Sequence, residues 1–317
     1  MVTCGDGDEL ATTMTPTRPR PPRPPGTRSM KGSDSSVSTP NVTVVRACLR
    51  GGAGGSSTAV VLEDDWDGAP PGDDERRRIP VAQGTSHAVY VRPAGDTIEL
   101  RFFTAEGELP ACGHGTVAAL ALLAARHGGA GPYRATLRAG GRVFAGWAER
   151  AGELITAAFD PGPVDLREPT AEERALVLPA LGLAPHEAGP DVRIAGVGRE
   201  RILVPVPTRA ALAALRPDLD RLRAACDRFG LLGAYVHSEP SPEGALAARM
   251  FAPSIGVPED LANANSTACL VAHLAGRGVH RIAVDMGDAL GSQATITATA
   301  GPDLRVELGG TARVVTE

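Results

Sequence analysis

The chain carries two apolar helix signals that lie about half a chain apart. The segment GHGTVAALALLA begins at Gly113 and the segment ANSTACLVAHLA begins at Ala264, which places Thr116 and Thr267 151 positions apart. Ahead of each helix stand the strand-like segments RFF (101–103) and RMF (249–251), at nearly the same separation. Matched strand and helix pairs at this spacing predict an internal duplication. We therefore expect an α+β fold with two halves that follow the same plan.

Turn-forming and low-complexity segments divide the chain. Residues 1–40 are rich in Pro, Arg and Ser and offer almost nothing to bury, which predicts a disordered tail. Its PxxP spacing would also fit a polyproline II ligand, and translation from Met30 would remove most of it. DPGP (160–163) is the predicted boundary between an N-terminal half, 41–160, and a C-terminal half, 161–317. The last strands are expected to pack back on the first half.

The composition excludes several classes of function. A net charge of −5 and an aromatic fraction of 3% give no basic surface or stacking platform, so we expect no nucleic-acid partner. No uninterrupted apolar run reaches 18 residues, so no membrane partner is expected either. Five scattered cysteines with no CxxC pair predict neither a disulfide framework nor a metal cluster, and fit a cytoplasmic protein. His186, His237 and His280 show no metal-ligand spacing.

The two helix starts carry the polar residues that predict chemistry. Free backbone N–H groups at a helix N-terminus favour a carboxylate, so two facing starts predict a site for a small carboxylic acid. His114 can carry a proton near neutral pH, and Asp260 before the other helix can hold or receive one. A buried Gly-His-Gly has few packing reasons to exist, which favours a functional role. The predicted binding residues are Cys112, Gly113, Gly115, Thr116, Ala264, Asn265 and Ser266.

Several blocks of the sequence, in this order, carry a resemblance to a known family. They read ELPACGHGTVAALALL, RILVPVPTRAALAALRPDLDRL, ARMFAPSIGVPEDLANANSTACLVAHL and RVELGGTARVV. Over residues 42–317 the chain resembles the PhzF-like family of phenazine-biosynthesis proteins, which has the diaminopimelate-epimerase fold. The resemblance implies two pseudo-symmetric halves, each a sheet wrapped around a central helix, with the active site in the cleft between them. It also implies proton transfer on small carboxylic acids without metal or organic cofactor, and a homodimer.

Carried over by position, the resemblance assigns the family's histidine to His114 and its aspartate to Asp260. The block that holds the family's catalytic glutamate reads SHAVY (86–90), so His87 replaces that glutamate. The related racemases use a cysteine at each helix start, and here Cys112 occupies the first place but Asn263 the second. A two-thiol racemase is therefore not expected. Two further departures are Gly55-Ser56-Ser57 and Gly291-Ser292, which stand for Gly-Asn-Pro and Gly-Arg in the family.

Three hypotheses follow. The first is a cofactor-independent isomerase or epimerase of specialised metabolism, with His87 as the base and His114 and Asp260 in support; an imidazole is a chemically sensible base near neutral pH. The second is a different reaction on the same fold, such as a cyclisation or dehydration. The third is a binding protein for small acids that has lost the base. Turnover of a bound ligand separates the third from the others, and solvent deuterium uptake without a change of formula separates the first from the second.

Overall fold

The computed structural model describes residues 41–65, 71–129, 131–184, 186–301, 303 and 305–315. They belong to one compact unit, Ser38–Glu317. The predicted disordered tail, 1–40, lies outside the described residues. No helix in the described part of the chain is long and apolar enough to cross a membrane.

The described elements comprise six α-helices and seventeen strands. The helices are α1 Asp73–Ala82, α2 Gly113–His127, α3 Ala171–Ala180, α4 Arg209–Ala214, α5 Leu219–Phe229 and α6 Ala264–Ala275. The first eight strands are β1 Val42–Ala47, β2 Ser56–Leu62, β3 His87–Ala94, β4 Thr97–Phe103, β5 Glu108–Leu109, β6 Tyr133–Ala139, β7 Arg142–Ala151 and β8 Leu154–Phe159. The others are β9 Asp165–Arg167, β10 Arg193–Val197, β11 Arg199–Val206, β12 Ala234–Ser238, β13 Ala245–Ala252, β14 Val257–Asp260, β15 Arg281–Met286, β16 Ala294–Ala300 and β17 Val306–Val314.

A closed mixed barrel surrounds helix α2. Its strands pair in the order β1, β2, β3, β4, β6, β7, β8 and β17, and β17 returns to β1. The β2–β3 and β4–β6 pairs are parallel, whereas the other neighbours are antiparallel. Residues 113–122 of α2 are buried on every side, as an almost wholly Ala/Leu/Val helix requires. The helix ends at Gly128, whose φ of 65° gives the left-handed cap that glycine adopts readily.

Helix α6 lies against a second run of strands. This run is β9, β10, β11, β12, β13, β15, β16 and β17, with parallel β11–β12 and β13–β15 pairs. Strand β17 belongs to both runs, because it pairs with β16 on one side and with β1 and β8 on the other. Helices α3 and α5 pack on each other in a separate apolar cluster, which shields these strands on the side away from α6.

Helix α1 continues through Pro80, which lacks the N–H that would bond to the carbonyl of Arg76. The hydroxyl of Tyr90, on β3, donates to that carbonyl at 3.3 Å instead. A side chain from the neighbouring strand therefore replaces the missing helical hydrogen bond, and the helix runs on to Ala82.

Candidate functional site

The two predicted helix starts lie in direct contact. A Cβ atom built on Gly113 would lie 2.2 Å from the Cβ of Ala264, far inside any real carbon contact, so only glycine fits there. A Cβ atom on Gly115 would lie 2.9 Å from the ring of Phe102 and 3.1 Å from the Sγ of Cys112. The expectation that the Gly-His-Gly motif has few packing reasons to exist is therefore wrong, because both glycines are required by close contacts.

His87 and His114 come together at the start of α2. Strand β3 begins at His87, and the Nδ1 of this residue lies 3.0 Å from the Nε2 of His114, in the first turn of the helix. The two rings meet edge to face, with their centroids 4.4 Å apart. The Nε2 of His114 also lies 3.4 Å from the Sγ of Cys112, and the hydroxyl of Ser86 lies 2.8 Å from the Nδ1 of His87. The structure thus joins three of the predicted site residues in one hydrogen-bonded cluster.

Burial and neighbouring charge separate the pKa values of the two histidines. Burial, followed by the like charge of His114, lowers the pKa of His87 to about 3. Burial alone would also lower the pKa of His114, but the charge and hydrogen bond of Cys112, the charge of Asp260 and a backbone hydrogen bond with Ala262 raise it to about 9. Protonation of both rings would place two positive charges side by side, so the pair carries one proton more than two neutral imidazoles, and His114 holds it.

Asp260 acts on this cluster through its charge. Its carboxylate accepts the amide N–H of Ala262 at 3.3 Å and the side-chain N–H of Asn263 at 2.9 Å, and it makes no hydrogen bond to His114 in the described structure. Asn263 in turn caps α6, since its Oδ1 accepts the N–H of Ser266 at 3.0 Å. Asp260 is therefore fixed by the residue that begins the second helix.

The predicted carboxylate cradle is only partly available. The N–H of Thr116 is used within α2, where it donates to the carbonyl of Cys112, and the N–H of Ser266 is used by the Asn263 cap. No side chain among the described residues caps the start of α2. The free amides there belong to Gly113, His114 and Gly115, so this helix start is the stronger anion site of the two.

Cys48 belongs to this region, which the sequence did not indicate. It is the one non-glycine residue in the described part of the chain with a positive φ, 61°, and it is completely buried. Burial, and then the charges of Cys112 and Asp260, raise the pKa of its thiol to about 12, so the thiol stays protonated. A left-handed φ at a β-strand end has no sequence signal in a cysteine, and only the folded backbone shows it.

The two family-departure segments also meet. The N–H of Gly55 donates to the carbonyl of Gln293 at 2.8 Å, and the hydroxyl of Ser292 donates to the carbonyl of Gly55 at 3.0 Å. The segments that stand for Gly-Asn-Pro and Gly-Arg therefore contact each other directly.

Glu259 is the acidic residue next to Asp260, at the end of β14. Arg249 holds its carboxylate in a bidentate ion pair, at 2.7 and 3.0 Å, so Glu259 supports the fold.

The comparisons with known proteins agree on one family. The family described as "Phenazine biosynthesis-like protein" matches residues 50–317. The chain is 27% identical to an uncharacterized isomerase, YddE, of Escherichia coli K12 over 249 residues, which cover 73% of this chain and 83% of the relative. A similar isomerase of Deinococcus radiodurans is 26% identical over 75% of this chain and 79% of its own length.

The fold is similar to that of a solved structure described as a predicted epimerase, PA4716, from Pseudomonas aeruginosa. The TM-score is 0.74 at 23% identity, and the match covers 88% of this chain and 98% of that one. At this identity the likeness establishes the fold alone. The family match over most of the chain shows that this protein belongs to the PhzF-like, phenazine biosynthesis-like family, whose curated relatives matched here are named isomerases.

Proposed function

We propose that this enzyme isomerises or epimerises a small carboxylic acid by moving a proton through the His87–His114 pair, without a cofactor. The observation that carries the proposal is the 3.0 Å contact between the Nδ1 of His87 and the Nε2 of His114. This contact links the half-buried ring of His87 to the buried ring of His114, which carries the extra proton. Both rings lie next to the start of α2, where backbone amides are free.

The contact sets the path of the proton. The Nδ1 of His87 is engaged by His114 and Ser86, whereas its Nε2 has no hydrogen-bond partner among the described residues. At rest, the Nε2–H of His114 donates to the Nδ1 of His87, which carries its own proton on Nε2. When the Nε2 of His87 gives that proton to one substrate carbon, the proton on the Nε2 of His114 passes to the Nδ1 of His87. In the reverse movement the Nε2 of His87 takes a proton from another carbon, and the extra proton returns to His114. A pair that takes a proton at one carbon and gives one at another performs an isomerisation.

The surroundings support both halves of this cycle. Cys112 and Asp260 stabilise the positive ring of His114, so the accepted proton has a favourable place to rest. The free amides of Gly113 to Gly115 offer hydrogen bonds to the carboxylate of the substrate, and the helix dipole favours its negative charge. Asp260 and His114 are therefore supporting groups, and His87 is the group that touches the substrate.

Other parts of the proposal rest on the resemblance to the family. They are two pseudo-symmetric halves, 41–160 and 161–317, with the active site in the cleft between them, a cytoplasmic location, a homodimer and a substrate from specialised metabolism. In the described part of the chain the first run of strands closes through the β17–β1 pair, whereas β9 and β17, the two ends of the second run, do not pair with each other.

The proposal is tested by solvent exchange. Small carboxylic acids with an acidic C–H bond are incubated with the enzyme in D₂O and followed by NMR spectroscopy and mass spectrometry. We expect an isomer that carries deuterium at a carbon and is otherwise unchanged in formula. His87→Gln keeps the size and hydrogen bonding of the side chain but accepts no proton, so it should abolish the exchange. Exchange at the wild-type rate in this variant would refute the assignment, and loss of water or ring closure would indicate another reaction.

A further inference from the structure

We infer that His87, Cys112 and His114 form a three-ligand site for a divalent ion of the zinc class, and that the bound ion blocks the proton transfer proposed above. The binding half of this inference stands on the geometry alone. The inhibition half rests on the proposed function.

The spacing of the three donor atoms fits one ion. The Nδ1 of His87, the Sγ of Cys112 and the Nε2 of His114 all lie within 4.8 Å of one another. Zn–N bonds of about 2.0 Å and a Zn–S bond of about 2.3 Å in a tetrahedron place two nitrogens about 3.3 Å apart and a nitrogen and a sulfur about 3.6 Å apart. The observed separations are 3.0 Å and 3.4 Å. The side chains need to move by only a few tenths of an ångström at these two contacts.

The chemistry of the donors selects the ion. One thiolate and two imidazoles are the ligands that zinc prefers, and they disfavour magnesium and calcium, which take oxygen. Cys112 and His114 are 7% and 5% exposed, so two ligands are held within the packed core.

Three protein ligands leave a fourth position on a tetrahedral ion. His87 is only half-buried, which places the remaining approach on its side of the cluster. A water molecule or a substrate carboxylate would complete the coordination there. The site therefore resembles an accessible three-ligand centre rather than a closed four-ligand structural site.

Metal binding and proton transfer require the same atoms. The ion takes the lone pairs of the Nδ1 of His87 and the Nε2 of His114, between which the proton moves. The protons on the Nε2 of His114 and the Sγ of Cys112 pass to the solvent, and each imidazole keeps the proton on its other nitrogen. When the ion is bound, no proton can pass between the Nδ1 of His87 and the Nε2 of His114. His87 stands where the resemblance implies a glutamate, so the donor set has a second imidazole nitrogen in place of a carboxylate oxygen.

The experiment uses Co²⁺ as a spectroscopic probe on the full-length protein after treatment with a chelator. We expect a thiolate-to-cobalt charge-transfer band in the near ultraviolet, together with the visible bands of a four-coordinate ion, and displacement of both by Zn²⁺. Cys112→Ser should remove the charge-transfer band, and His87→Gln should weaken binding at least about tenfold. Cys226→Ser and His280→Ala remove a cysteine and a histidine elsewhere and should change neither band.

Each result decides one half of the inference. Absence of the charge-transfer band in the wild type, or its survival in Cys112→Ser, overturns the binding half; if Cys112→Ser does not fold, unchanged affinity in His87→Gln does so. In the D₂O exchange assay, Zn²⁺ should stop turnover and a chelator should restore it. Turnover that persists with the site loaded overturns the inhibition half. A cobalt site in a protein without exchange activity, with or without metal, would instead refute the proposed function and leave the binding half intact.

Discussion

Gly113→Ala tests whether contact between the two helix starts holds the site together. The new methyl group would lie 2.2 Å from the Cβ of Ala264, and the next atom of that residue, its Cα, lies at 3.5 Å. The clash therefore involves one methyl group on one neighbour. Overpacking of this kind costs about 1–3 kcal/mol, while alanine gains up to about 1 kcal/mol in helix propensity. We expect a net loss of about 2 kcal/mol.

The neighbour supplies the matched rescue. Ala264→Gly removes the Cβ that the new methyl group meets, and alone it should cost about 1 kcal/mol through lower helix propensity. In the double variant the two glycine and alanine positions are exchanged, so stability should return to within about 1 kcal/mol of the wild type. The coupling energy between the two substitutions is then about 2–3 kcal/mol, within the range found for residues in contact.

The assay is urea unfolding followed by far-ultraviolet circular dichroism. With a slope of about 3 kcal/mol/M, a loss of 2 kcal/mol lowers the midpoint by roughly 0.7 M. An unchanged midpoint in Gly113→Ala, or additive losses in the double variant, would show that the two helix starts are not in contact. Gly276→Ala is the control, because Gly276 has a helical φ of −62° and a Cβ atom built there has no neighbour closer than 3.5 Å. Gly128→Ala would not serve, because the positive φ of Gly128 strains any other residue.

Three further predictions concern pH, catalysis and packing. Burial lowers the pKa of His237 from 6.5 to about 4. Between these two pH values the unfolded chain binds a proton at this residue and the folded chain does not. The free energy of unfolding is therefore unaffected by this residue above about pH 6.5 and decreases as the pH falls from 6.5 toward 4. From pH 7 to pH 5 the wild type should lose about 2 kcal/mol more than His237→Asn in urea unfolding, and equal losses would contradict the assignment. His87→Gln should lose about 10²- to 10⁴-fold in turnover with the fold unchanged, whereas His87→Glu, the residue that the resemblance implies here, should retain activity or shift its pH profile towards acid. Glu259→Gln breaks the partly buried pair with Arg249 and should cost about 2 kcal/mol, whereas Glu168→Gln, on an exposed side chain, should cost less than about 1 kcal/mol.

The sequence predicted the elements that have strong local signals. The two predicted apolar helices are observed as α2 and α6. Strands β1 to β4 contain β-branched residues, which are a local signal of the same kind. The closure of the barrel by β17 has no such signal, because its pairing with β1 joins residues more than 260 positions apart. Pairing at this distance depends on the whole fold rather than on local preference.

The same distinction applies to the site. His114 and Cys112 were predicted because they lie within three residues at one helix start. The bond between His87 and His114 spans 27 positions and depends on how β3 packs beside α2. The roles of Gly113 and Gly115 were misread, because a sequence cannot show which atoms a missing side chain would meet. Cys48 was missed for the same reason, since its neighbours come from distant segments.

Residue 87 determines how this site differs from the family pattern that it resembles. A glutamate there would be an anion beside the positive ring of His114, and the two charges would offset each other. The imidazole of His87 stays neutral, because burial and the nearby ring disfavour its protonation. The site consequently carries one more unit of positive charge than a Glu–His pair would, next to the free amides at the start of α2. That balance favours an anionic substrate at the helix start, while the neutral imidazole keeps a lone pair for a proton or a metal ion.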